Sequence, residues 1–355
     1  MSAPRSRERV TVLISAAGRR NYLVEWFREA LGRVGVGGRV LVADADPNAA
    51  ARAAADASFS LPPIDDDGYR AALEMLCVEQ AVTVAISLND FELSTWSAMD
   101  SSHLVANGTH LIAMDERIQR SVEDKAEMAR LLQATGIRTP RTALASTLVS
   151  GAVEAAQLGD HLMVKNRYGS GSRGARRTTP EALLRDIERS APEATDQRGD
   201  AIPDRARALE ALVVQEFIPG VEFGVDCINT LDGVFAGVLA RRKIRMRGGE
   251  TDQATSVSPD RFVALAESLA HVTRHRGLVD CDVIEDAAGE RWLIDVNPRF
   301  GGGYPFSHVA GADVPAAYVA WAAGLPHKEG WLRSRADVVA AKHIAIAQVQ
   351  VPYGS

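Results

Sequence analysis

Cysteine is scarce in this chain: Cys77, Cys227 and Cys281 are the only three in 355 residues, widely spaced and without a CxxC pair. That spacing excludes a disulfide framework and a cysteine zinc site, and leads us to expect a reducing, cytoplasmic setting. No apolar run approaches the roughly 20 residues of a membrane helix. The opening MSAPRSRERV has no apolar centre and reads as a loose tail, not a secretion signal. Basic charge is not in excess either. With 40 Lys and Arg against 46 Asp and Glu, the net charge is −6, so neither nucleic acid nor anionic membrane is expected as a partner. The first strand–helix turn lacks GxGxxG, and no GxxxxGK[ST] or GxSxG occurs, so any nucleotide site must be built without a P-loop. The remaining composition, 46% hydrophobic and 24% charged, fits two or three ordinary globular domains.

The first hundred residues alternate strand and helix. Val10–Ala16 is a buried run followed by Gly18, Arg19 and Arg20, and then a helical pattern in Tyr22, Leu23, Trp26, Phe27, Ala30 and Leu31. Val40–Ala43 ends at Asp44 and Asp46, and Val82–Leu88 ends at Asn89, Asp90 and Glu92. Such alternation predicts a doubly wound parallel sheet, in which ligands lie beyond the carboxyl ends of the strands. Arg19, Arg20, Asp90 and Glu92 fall there.

Further along, Ser121-Val-Glu-Asp124 resembles a capping box opening a helix that closes near Gly136, with Lys125 in its first turn. Leu162–Lys165 is a short strand feeding Gly169-Ser170-Gly171-Ser172-Arg173-Gly174, a Gly/Ser loop amid five cations and no acid, suited to a polyphosphate. A strand from Val213 stops at Gln215-Glu216 and turns at Pro219-Gly220, where a flat base could meet Glu216, Phe217 and Ile218, with Glu222 beginning the next strand. In ARRKIRMRGG, alternation puts Arg241, Lys243, Arg245 and Arg247 on one face, and Arg242 with Ile244 and Met246 on the other.

The densest signal is the stretch from Gly277 to Gly303. Gly277–Ile284 and Trp292–Asn297 read as a hairpin turning at Asp286–Gly289. In that register Asp280, Asp282, Asp295 and Asn297 share a face, opposite Cys281, Val283, Trp292, Ile294 and Val296. Carboxylates so crowded need solvent or a cation between them, and oxygen-only donors suit Mg²⁺ carrying nucleotide phosphates. Arg299 and Gly301–Gly303 follow at once.

Taken in order, these segments resemble the ATP-grasp superfamily, and in particular ligases related to one half of the carbamoyl-phosphate synthetase large subunit. The resemblance covers roughly residues 10 to 325. It implies an α/β chain: an N-terminal doubly wound sheet (1–113), then two α+β subdomains gripping ATP (114–212 with a mobile lid, and 213–355 with the metal site). It also implies ATP contacts at Lys125, Lys165, Ser170, Gly171, Ser172, Glu216, Phe217, Ile218 and Glu222. Asp282, Asp295 and Asn297 would hold two Mg²⁺ ions, or Mn²⁺ in their place. Arg299, Arg242 and Lys165 would act on the transferring phosphoryl group. The family usually has Glu at position 295, and often Glu or Gln at 282, so both carboxylates here are one methylene short. The implied activity joins a carboxylate to an amine through an acyl phosphate, with small amino acids or their derivatives as substrates. Arg19, Arg20, Arg245, Arg247 and Gly302 are candidate acid contacts, and Asp90, Glu92 and Glu250 candidate ammonium contacts. A homodimer is compatible with the sequence.

Overall fold

The structure, a computed structural model, describes residues 8–169 and 174–349. Its first sheet holds five parallel strands, Arg9–Ser15 (β1), Gly37–Asp44 (β2), Ala57–Ser60 (β3), Val84–Ser87 (β4) and His110–Ile112 (β5), in the order β3-β2-β1-β4-β5. The centre of β1, Val12–Ile14, is a continuous apolar run because both its faces are covered. Val10, Val12 and Ile14 join the cluster containing Phe27 and Tyr318, while Leu13 joins the one containing Tyr69 and Trp96. The helix Asn21–Val34 follows and stops where Gly35 adopts φ 81°, its N–H returning to the Leu31 carbonyl. The short strands β3 and β5 were not anticipated, being too brief and too polar to stand out.

A four-stranded antiparallel sheet comes next: Thr142–Leu144 (β6), Leu162–Asn166 (β7), Arg176–Thr178 (β8) and Leu212–Glu216 (β9), ordered β6-β9-β7-β8. The third sheet is also antiparallel, with Val221–Asn229 (β10), Phe235–Arg247 (β11), Glu250–Val257 (β12), Gly277–Glu285 (β13), Arg291–Asn297 (β14) and Val339–Ala341 (β15) in the order β14-β13-β10-β11-β12-β15. One face of it packs on the helix Val263–Thr273 through Phe223, Val225, Ala240, Cys281, Val283 and Leu293. On the other face, Ile228, Leu239 and Leu278 meet Phe300 and Tyr318 from the core of the first sheet. Beyond them that face turns charged, and the site lies there.

The expected capping box at Ser121 is not the helix start. Ser121 lies inside the helix Glu116–Glu123, its hydroxyl bonded back to the Arg117 carbonyl. Asp124 breaks the chain with φ −101° and ψ 108°, accepts from the N–H groups of Ala126 and Glu127, and so begins the helix Lys125–Ala134. Among the described residues no helix is long and apolar enough to cross a membrane.

Candidate active site

The hairpin β13–β14 sets the site. Asp282 pairs with Asp295 and Asp280 with Asn297, which brings the expected carboxylates and amide side by side. The register then slips between Asp282 and Val283, so that Val283 faces Leu293 and Ile284 faces Trp292. This corrects the expected apolar face. Leu293 enters the core, whereas Trp292 turns its Nε1 to Asp286 at 2.9 Å and Ile294 is left half-buried in the bulge. The bulge re-aims the strand just before the metal-type residues.

Four cations converge on these oxygens. Lys243 Nζ, 7% exposed, is 2.7 Å from Asp282 Oδ1 and 2.6 Å from Glu222 Oε1. Burial lifts the Asp282 carboxyl to about 6, with Lys243 opposing the rise and Asp280 and Asp295 adding to it. Lys125, at the first position of its helix, donates to the Gly169 carbonyl and stands 4.0 Å from Asp295 Oδ1. Lys165 lies near the end of β7; burial, and then the charge of Lys125, lower its ammonium to about 8. Lys165, with its lowered proton affinity, and the ammonium of Lys125 beside it form a pocket prepared for an anion. Arg299 grips Asp90 through both guanidinium arms at 2.7 and 2.8 Å, tying the third sheet to the first. Beside these groups lies a cavity of about 300 Å³ whose walls include Asp90, Glu123, Lys125, Asp295 and Asn297.

The donor set suits a hard cation: two carboxylates and an amide oxygen on paired strands, with no soft ligand. Among the described residues no three acidic, histidine or cysteine side chains close into a cage. The set therefore fits an ion that arrives with phosphate oxygens of its own.

Several expected residues sit elsewhere. Arg242 is exposed and pairs across the sheet with Phe223, on the face that packs against the helix Val263–Thr273, so it does not point at the carboxylates. Strand alternation reserves that role for Lys243. Glu92 is 2% exposed, accepting from Ser15, Ser87 and Tyr69, and burial raises its carboxyl; it braces the first sheet and cannot hold a substrate ammonium. The Glu216 carboxylate is clamped by Arg141 at 2.9 Å on each oxygen. Arg177 lies over the Phe217 ring at 4.0 Å, and Ile218 is buried. Arg245 and Arg247 share Asp252, at 2.7 and 3.5 Å. Arg20 donates to the Leu88 carbonyl at 3.1 Å, Arg19 is exposed, and Gly302 faces Glu250. Ser170, Gly171 and Ser172 lie outside the described residues. His308 stacks on Trp26 at 3.7 Å as a packing residue, and burial lowers its imidazole to about 4.

Sequence reasoning missed Glu123, Arg141, Arg241 and Lys342. Arg241 is buried against Asp226 at 2.6 Å and against Asp280, beneath the glycine loop. Its place in a cationic strand was a usable signal. For Lys342, some 40 residues past the loop, no local signal existed.

Residues 12–112 match the family of PylC-like N-terminal domains, and residues 208–348 match the family described as ATP-grasp in the biosynthetic pathway with Ter operon. The carbamoyl phosphate synthase large chain of Campylobacter jejuni is 25% identical over 230 residues, which are 62% of this chain and 20% of that protein. The chain thus spans about a fifth of that relative. Biotin carboxylase from Campylobacter jejuni superposes with a TM-score of 0.66 at 16% identity, over 91% of this chain and 73% of that one. L-amino acid ligase from Bacillus licheniformis gives 0.63 at 16%, over 93% and 78%. A PylC-like N-terminal domain thus stands ahead of a segment that matches an ATP-grasp family, and the chain shares the fold of these solved ATP-grasp neighbours.

Proposed function

We propose that this protein is an ATP-dependent carboxylate–amine ligase that forms an amide bond between small amino acids or their derivatives, releasing ADP and phosphate. The observation that carries the reading is the meeting of Asp282, Asp295 and Asn297 with Lys125, Lys165 and Lys243 beside a small cavity, with Arg299 donating to Asn297 Oδ1 at 3.4 Å. Mg²⁺ held by Asp282, Asp295 and Asn297 would draw charge from the β- and γ-phosphates. Lys125 and Lys165 hold phosphate oxygens, and Lys243, buried between two carboxylates, supplies charge where the phosphoryl group leaves. Arg299, held in place by Asp90, adds a fixed positive charge beside Asn297 where the attacking carboxylate would lie. No protein nucleophile enters the scheme. We further propose the three sheets as units divided near residues 113 and 212.

The test is Mg²⁺-dependent ADP release from ATP with pooled amino acids, each pool read by mass spectrometry. A product at the summed mass of two components less one water is the expected result. ADP release that requires bicarbonate and no amino acid would instead make this a carboxyphosphate-forming enzyme. ATP binding with no ADP release from any pool would remove the ligase reading.

A further inference from the structure

Where β15 joins the edge of β12, the chain delivers a lysine to the site from far along the sequence. The Lys342 backbone N–H donates to the Asp252 carbonyl at 2.9 Å, which fixes the residue beside the glycine loop. Its Nζ is 2.9 Å from Glu250 Oε2, and a Cβ built on Gly302 would lie 3.4 Å from it. Burial pushes the Glu250 carboxyl up, but Lys342, Arg20 and Arg19 outweigh it and hold the group below its ordinary value. Lys342 thus pairs directly with Glu250, and Arg19 and Arg20, in the turn after β1, act on the same carboxylate by charge, on a chain whose net charge is −6. Arg299 is already matched by Asp90, so it does not compete for Glu250. Like charges gathered around a single carboxylate repel one another unless a further anion joins them. The side chain of Lys342 is 27% exposed, and Arg19 is exposed, so the cluster is open to a ligand.

We propose that Lys342, with Arg19 and Arg20, binds a second anionic group of the acid substrate, which is therefore a carboxylic acid bearing a further carboxylate or phosphoryl group. The inference rests on the ligase reading above. Arg299, at the start of the glycine loop, serves the reacting carboxylate; Lys342, against Gly302, serves the remote anion. A charge-assisted contact of this kind changes affinity by about 10- to 100-fold.

Calorimetric titration tests this in the presence of Mg²⁺ and a non-hydrolysable ATP analogue. Succinate, glutarate and 3-phosphoglycerate are compared with propionate and butyrate, and ADP release is followed in parallel with ATP and pooled amines. The expected result is binding of at least one dianionic acid about tenfold or more tighter than its monoacid counterpart. Lys342→Met should abolish that preference and Lys342→Arg should restore most of it, with circular dichroism confirming that both variants are folded. Equal binding of mono- and dianionic acids, a preference that survives in Lys342→Met, or no binding of any acid would overturn the proposal. Dianion-selective binding without ADP release from any pool would leave the subsite standing and remove the ligase reading. ADP release without dianion preference would do the reverse.

Discussion

Along β11 a shift of one residue separates a side chain in the site from one in solvent. Arg242 carries the guanidinium, with its broader set of donors, but its Cβ points to the face that packs on the helix Val263–Thr273. Lys243 points to Asp282 and Glu222, and their pull outweighs burial to raise its ammonium above the ordinary value. We expect Lys243→Met to lower kcat/KM for the ATP-dependent reaction by about 10²- to 10³-fold, the loss typical of one charge-stabilising donor. Arg242→Met should stay within about threefold. Steady-state kinetics on both variants decide between them, and the opposite ranking would return Arg242 to the site. Glu92 teaches the same lesson for an acid: its position after a parallel strand was legible, but its three inward hydrogen-bond donors were not.

Among the elements, the hairpin β13–β14 and the loop after it were the most readable. Asp282 opposite Asp295 follows from the period-two alternation and the Gly289 turn, both local properties. The slip that drops Ile294 is not local, because it depends on Leu293 finding the core around Phe262 and Ala266. The loop Gly301–Gly303 has a physical need for glycine at particular places. A Cβ on Gly303 would lie 2.3 Å from the Arg241 guanidinium, itself wedged between Asp226 and Asp280, whereas one on Gly302 would meet only flexible side-chain ends at 3.3–3.4 Å. Gly303 has φ −89°, so Ala there is strained by space alone. Denaturant unfolding should show Gly303→Ala losing about 1–3 kcal/mol, the usual cost of overpacking. Gly302→Ala should remain within about 1 kcal/mol. Equal stability of the two variants would mean that Arg241 does not brace the loop.

At the scale of the whole molecule, three sheets meet around one cleft, and buried groups tie stability to pH. His275 is 1% exposed, its ring nitrogens facing Thr273 Oγ1 at 2.7 Å and the Cys227 carbonyl at 3.2 Å, and burial lowers its imidazole from 6.5 to about 4. Between those values the unfolded chain binds the proton and the folded chain does not. Its contribution, on the order of 3 kcal/mol, is therefore present above pH 6.5 and lost as pH falls towards 4. The difference between wild type and His275→Gln isolates it from the carboxylates that titrate in the same range. Unfolding free energy of the variant should fall less steeply from pH 6.5 to 4, and parallel curves would show that His275 does not set the slope.

The sequence alone determined the parallel first sheet, the hairpin with its carboxylates, the glycine loop and the order of the segments. Each depends on patterns within a few residues, where strand alternation and turn chemistry act. Only the tertiary structure decided that Glu92 is a brace, that Arg141 clamps Glu216, that Arg299 meets Asp90, and that Lys342 stands beside Gly302. Those outcomes join residues that are far apart in the chain, and burial and charge pairing across packed sheets select the partner, which no local pattern encodes.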